Sequence, residues 1–101
     1  MSDSSAFVVV DLWRAKPGKQ AQLTATLAES ARVFREQPGV LSVDYTHLGG
    51  DPDRYLAVFR YASQAARDAF RSTDALRDTM DQLTLLWDLE SDVMLGHQTG
   101  L

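Results

Sequence analysis

The sequence predicts an α+β domain with elements in the order β-α-β-β-α-β, and three observations carry that reading. Strand-like runs rich in β-branched and aromatic residues fall at 7–14, 40–48, 54–61 and 87–95. Helix-period stretches separate the first run from the second and the third from the fourth. The middle pair is split only by Gly49-Gly50-Asp51-Pro52-Asp53, which has the length and composition of a hairpin loop. That order is the split βαβ, or ferredoxin-like, plan: an antiparallel sheet with helices on one face. The other face of such a sheet must meet water or a partner.

The first run, 7–14, has faces Phe7, Val9, Asp11, Trp13 and Val8, Val10, Leu12, Arg14. Both are mostly apolar, so this strand is expected at the centre of the sheet. Lys16-Pro17-Gly18 ends it, since proline has no ladder donor. The first helix is expected over 19–37, with Leu23, Leu27, Ala31 and Phe34 forming one apolar stripe. Pro38 stops it by restricting Gln37 and removing an N–H. At roughly 28 Å it matches an eight-residue strand of roughly 26 Å.

Along 40–48 the alternation places Leu41, Val43, Tyr45 and His47 on one face. In 54–61 one face carries Tyr55, Ala57, Phe59 and Tyr61 and the other Leu56, Val58 and Arg60. Ser63 is the expected N-cap of the second helix. Thr73-Asp74 interrupts that helix, with Asp74 expected to cap the turns around Leu76, Met80 and Leu83. The last run puts Trp87, Leu89, Val93 and Leu95 on one face and Asp88, Glu90 and Asp92 on the other, as a solvated or subunit-edge face.

One domain fills 101 residues, with 1–6 read as a loose leader and 7–101 as the domain. The leader lacks the basic and apolar regions of a signal peptide. No apolar run approaches the roughly 20 residues of a membrane span. The net charge is −4 and the ten Lys and Arg are dispersed, which argues against a nucleic-acid partner. There is no cysteine, so disulfides, thiolate metal sites and a Cys nucleophile are excluded, and a cytoplasmic location fits. Phosphate-loop, dinucleotide, serine-hydrolase and metalloprotease signatures are missing. Two histidines, His47 and His97, are too few for a dedicated transition-metal site, so no metal and no organic cofactor is expected.

Four segments carry a family resemblance: Gln37-Pro38-Gly39-Val40, Tyr55-Leu56-Ala57-Val58-Phe59-Arg60-Tyr61, Ala65-Ala66-Arg67-Asp68-Ala69-Phe70 and Gly96-His97-Gln98-Thr99. Their order and spacing, from Phe7 to Thr99, resemble the antibiotic biosynthesis monooxygenase superfamily, and within it the small anthrone monooxygenases of aromatic polyketide pathways. The resemblance implies a dimeric α+β barrel in which two such sheets face each other. It also implies a pocket in each subunit between the sheet and its own helices, and oxidation by molecular oxygen without metal or organic cofactor. This chain departs from the family's oxygenases at three positions: Tyr61 stands for a tryptophan, Ala57 for an asparagine and Asp11 for an asparagine. Phe70 is the nearest residue to a histidine found in many relatives, so the haem-degrading branch does not match.

The residues themselves support the chemistry. Triplet oxygen reacts slowly with closed-shell organics, so a protein without a cofactor must first make an electron-rich enolate or phenolate. That needs a proton acceptor, oxyanion donors and a dry site. Asp11 among aromatics is the candidate base, Tyr61 the donor, and His47 a further candidate catalytic group. Trp13, Tyr55 and Phe59 are candidate contacts to a flat ring, and Ala57 would widen the pocket. A plainer reading pairs Asp11 with Arg14, Arg54 or Arg60 at a dimer seam and leaves the aromatics as core. Function therefore divides three ways. The leading version is a homodimeric, cofactor-independent monooxygenase acting on a small anthrone-like phenol and oxygen. The others are a non-redox cyclase, isomerase or dehydratase using the same pocket, and a non-catalytic small-molecule-binding dimer.

Overall fold

The computed structural model describes residues 6–97, with side chains described at all of them except 91–95. The elements are β1 (Phe7–Ala15), α1 (Gln20–Arg35), β2 (Val40–His47), β3 (Arg54–Tyr61), α2 (Gln64–Arg71), α3 (Asp74–Leu83) and β4 (Trp87–His97). The strands form one antiparallel sheet in the order β2-β3-β1-β4, so β1 is central and the plan is ferredoxin-like. Residues 1–5 of the expected leader, residues 98–101, and the side chains of Asp92, Val93 and Leu95 lie outside what is described. Ala6, grouped with the leader, is buried ahead of β1.

The second helical stretch is two helices, and the break falls where the sequence places it. The cap differs from expectation: Thr73 Oγ1 accepts from the Leu76 N–H at 3.2 Å, and Asp74 is the first helical residue. Ser63 caps α2, accepting from the Ala66 N–H at 3.0 Å.

Strand β2 departs from simple alternation. Val40 pairs with Tyr61 and Ser42 with Arg60, so Leu41 is an extra residue in the ladder. The bulge turns Val40 and Val43 toward the core and leaves Leu41 59% exposed. Leu41 therefore does not share a buried face with Val43.

Side chains on the helix side of the sheet build two core clusters. One joins Phe7, Val9, Val43 and Tyr61 to Phe34 of α1 and Phe70 of α2. The other joins Ala15, Tyr55 and Trp87 to Leu23 and Leu27 of α1 and Leu83 of α3. Tyr45 packs against both. Gly39 keeps α2 against the sheet: its φ is +79°, and a Cβ there would stand 2.6 Å from the Ala66 Cβ.

Candidate functional site

Register places one row of side chains across the middle of the helix-facing surface. Ala57 of β3 pairs with Asp11 of β1 on one side and with Tyr45 of β2 on the other. The row is flanked by larger groups, Val9 and Phe59 toward one end and Trp13 and Tyr55 toward the other. A methyl group between bulky rows leaves space above it. The pairing of β1 with β4 also shifts register between Val10 and Leu12, so Asp11 sits at an irregularity of the sheet.

The space is a half-open chamber of about 160 Å³ between the two core clusters. Val9, Asp11, Trp13, Tyr45, Ala57, Phe59, Tyr61 and Trp87 form its sheet side. Phe34 of α1, Arg67, Phe70 and Arg71 of α2, and Leu76, Met80 and Leu83 of α3 form its helix side. Trp13 and Trp87 stack with ring centroids 4.5 Å apart and planes 11° apart, so one face of Trp13 is already taken by a neighbouring indole. Phe59 lies 5.7 Å from Phe34 and 6.1 Å from Phe70, closing the opposite end with rings.

Asp11 is half-buried, and its Oδ1 is buried with no hydrogen-bond partner. Desolvation raises its pKa above the usual 3.8; the Trp13 indole N–H and the Arg67 charge pull the other way and are outweighed. Within the chain Asp11 is not paired with Arg14, Arg54 or Arg60: Arg14 and Arg54 bind Glu90 at 3.0 and 2.8 Å, and Arg60 binds Asp44 at 3.4 Å. The alternation of β1 explains this, since Arg14 points to the face opposite Asp11. Trp87 Nε1 is likewise buried without an acceptor, so the wall holds one unpartnered donor and one unpartnered acceptor.

Two tyrosines face the chamber with hydroxyls held neutral. Burial drives the Tyr61 hydroxyl well above its ordinary value and pushes Tyr45 up to about 12. Ser30 Oγ donates to the Leu27 carbonyl at 2.9 Å, so at 3.0 Å it accepts from Tyr45 Oη.

Asp11, Trp13, Ala57, Phe59 and Tyr61 are thus brought together, whereas His47 and Tyr55 stand apart. These two stack on each other at 4.8 Å beside a separate hollow under α1. Tyr55 is packed against Leu23 and Leu27, and His47 Nε2 donates to the Pro52 carbonyl at 2.6 Å. Both lie one row farther along β2 and β3 than Tyr45 and Ala57, on the α1 side of the sheet and outside the chamber.

Tyr45, Arg67, Arg71, Met80 and Trp87 also line the chamber and were not among the candidates. The signal for α2 was the spacing of Arg67, Phe70 and Arg71, which puts all three on one helix face. Among the described residues no group of three His, Cys, Asp or Glu is placed to hold a metal ion.

Comparison with known proteins gives the same fold. A protein of Chloroflexus aurantiacus J-10-fl assigned to antibiotic biosynthesis monooxygenases is 24% identical, with TM-score 0.80 and 95% of each chain covered. A Shewanella oneidensis protein is 26% identical, with TM-score 0.77 and coverage of 95% of this chain and 93% of that one. SnoaB, a cofactor-independent oxygenase from Streptomyces nogalater, is 17% identical with TM-score 0.81, covering 95% of this chain and 97% of that chain. A Methanocaldococcus jannaschii protein described as a type I restriction enzyme endonuclease subunit is 32% identical over 80 residues. That match covers 66% of this chain and only 8% of the relative's length. The model of the antibiotic biosynthesis monooxygenase family matches residues 6–82, and the chain belongs to that family.

Proposed function

We propose that this protein is a cofactor-independent monooxygenase acting on a small, electron-rich phenol of the anthrone type, with Asp11 as the base. The observation that carries this reading is the Asp11 carboxylate itself: its Oδ1 is buried without a hydrogen-bond partner, and the group is set in an aromatic chamber. A structural carboxylate in such a place would have both oxygens satisfied; an oxygen left open is available to a substrate proton. Asp11 takes a proton from the substrate's acidic carbon, leaving an enolate. The enolate gives one electron to oxygen, and the resulting radical and superoxide join through a new C–O bond. The peroxide so formed takes back the proton. Loss of the second C–H proton, again to Asp11, breaks the O–O bond, makes the carbonyl and releases water. The sum is substrate plus O₂ to quinone plus water.

The neutral Tyr61 hydroxyl and the unpartnered Trp87 N–H are the donors for the developing oxyanion. The aromatic walls hold the ring and exclude water. We further propose that the protein works as a homodimer of facing sheets. Incubation with an anthrone under oxygen and under argon tests the reading. Product only under oxygen, gaining one oxygen and losing two hydrogens, is expected; equal product in both, or none, removes it. The Ala57 floor offers no polar side chain to an incoming oxygen, which favours an enolate-forming cyclisation, isomerisation or dehydration as the second reading. Product without gain of oxygen would select it.

A further inference from the structure

The charges on the chamber wall are few and lopsided. Of its fifteen lining residues only Asp11, Arg67 and Arg71 are charged. The whole chain carries −4, so the wall has the sign opposite to the molecule. Asp11 lies on the sheet side, and both arginines lie across from it on α2, one turn apart with Phe70 between them.

The other arginines are engaged. Arg14, Arg32, Arg54, Arg60 and Arg77 are in ion pairs, and Arg35 donates to the Val43 carbonyl at 2.7 Å. Arg67 and Arg71 have neither an ion pair nor a hydrogen-bond acceptor among the described residues. Arg67 is half-buried and Arg71 exposed, so together they stand at the solvent edge of the wall. A guanidinium is a planar fork suited to a carboxylate, and it is worth most beside an apolar surface that keeps water away.

We propose that Arg67 and Arg71 clamp an anionic group, and that the substrate of this chamber is a hydroxylated aromatic bearing a carboxylate. This rests on the reading of the chamber as a substrate site and adds the class of molecule it takes. Anchoring the acid at α2 leaves the rest of the ring to cross the chamber toward the sheet, where Asp11 and Tyr61 wait for the hydroxylated end. A volume of about 160 Å³ encloses one ring of a fused aromatic, with the remaining rings and the acid group reaching through the opening. The two functions are then divided between the walls: α2 selects, and the β1–β3 face does the chemistry.

The test is calorimetric titration of the full chain with 4-hydroxybenzoate, 6-hydroxy-2-naphthoate and the methyl ester of each. At least one acid should bind about tenfold or more tighter than its ester. Arg67→Gln with Arg71→Gln should erase that preference, and Arg67→Lys should keep part of it. Equal affinity of acid and ester, tighter ester binding, no binding of any probe, or a preference that survives the double change overturns the proposal. The comparison of acid with ester on the unaltered protein stands even if the double variant fails to fold. Oxygen uptake by the same protein given an anthrone, whose acidic CH₂ carbon the binding probes lack, separates this inference from the oxygenase reading. Acid preference without uptake keeps the clamp and removes the oxygenase, and uptake with the ester as good as the acid does the reverse.

Discussion

At the residue scale one carboxylate, that of Asp11, is set against its surroundings. Because burial raises the folded-state pKa of Asp11, the folded protein holds that proton more tightly than the unfolded chain does. Stability from this group is therefore full at low pH and falls as pH rises from the ordinary carboxylate value through the raised one. Asp11→Asn removes the charge and with it that loss. At pH 7 the variant should be the more stable of the two, with the higher Tm. At pH 3, where Asp11 is protonated in both states, the gain should vanish. Thermal melts at the two pH values check this; an equal gain at both, or a loss at pH 7, would show that the carboxylate is satisfied in the fold. Alternation along β1 and β3 made Asp11, Trp13, Ala57, Phe59 and Tyr61 legible as one surface. It could not show that His47 and Tyr55, on the same faces, lie under α1. Period two says which side of a sheet a residue takes, not which stretch of that side a helix fills.

At the element scale α2 is the part that makes the chamber more than a gap in the core. It is short, so propensity alone cannot hold it, and its position depends on the Ser63 cap and on close contact with Gly39. Gly39→Ala meets both a left-handed backbone and the Ala66 Cβ, and should cost about 2 kcal/mol or more. Gly18→Ala, with φ +75° but no atom within 4 Å, should cost only the backbone part, about 1 kcal/mol. Urea midpoints of the two variants compare them; equal losses would mean that the contact with α2 is not tight. The helical pattern, its break at Thr73 and the proline stop before Gly39 were all readable from local signals. The bulge at Leu41 was not, because it arises from pairing with β3 and leaves no mark in the period of β2 itself.

At the scale of the whole molecule, the sheet face away from the helices carries Val8, Val10, Leu12, Leu56 and Val58, all half-buried, with Val10 paired to Val58 and Leu12 to Leu56 across β1 and β3. Ion pairs flank this strip, Arg14 and Arg54 with Glu90 at one end and Arg60 with Asp44 at the other. An apolar centre with a charged rim is the anatomy of an interface. Sedimentation at micromolar concentration should give twice the 11.2 kDa chain mass, and Val10→Lys should return a monomer. An unaltered protein that sediments as a monomer would contradict the dimer. The architecture was legible because six periodic segments in one order admit few topologies. The chamber was less so, since its arginines, its second tryptophan and its empty space depend on how helices dock. Architecture and chamber meet at the Asp11 carboxylate on the central strand, whose open oxygen is proposed to remove the proton that lets oxygen react. The most direct test is turnover of an anthrone under ¹⁸O₂ by the unaltered protein and by Asp11→Asn. The account predicts one ¹⁸O in the product and a rate lower by roughly 100-fold or more in the variant; labelled product formed equally fast by both would contradict it.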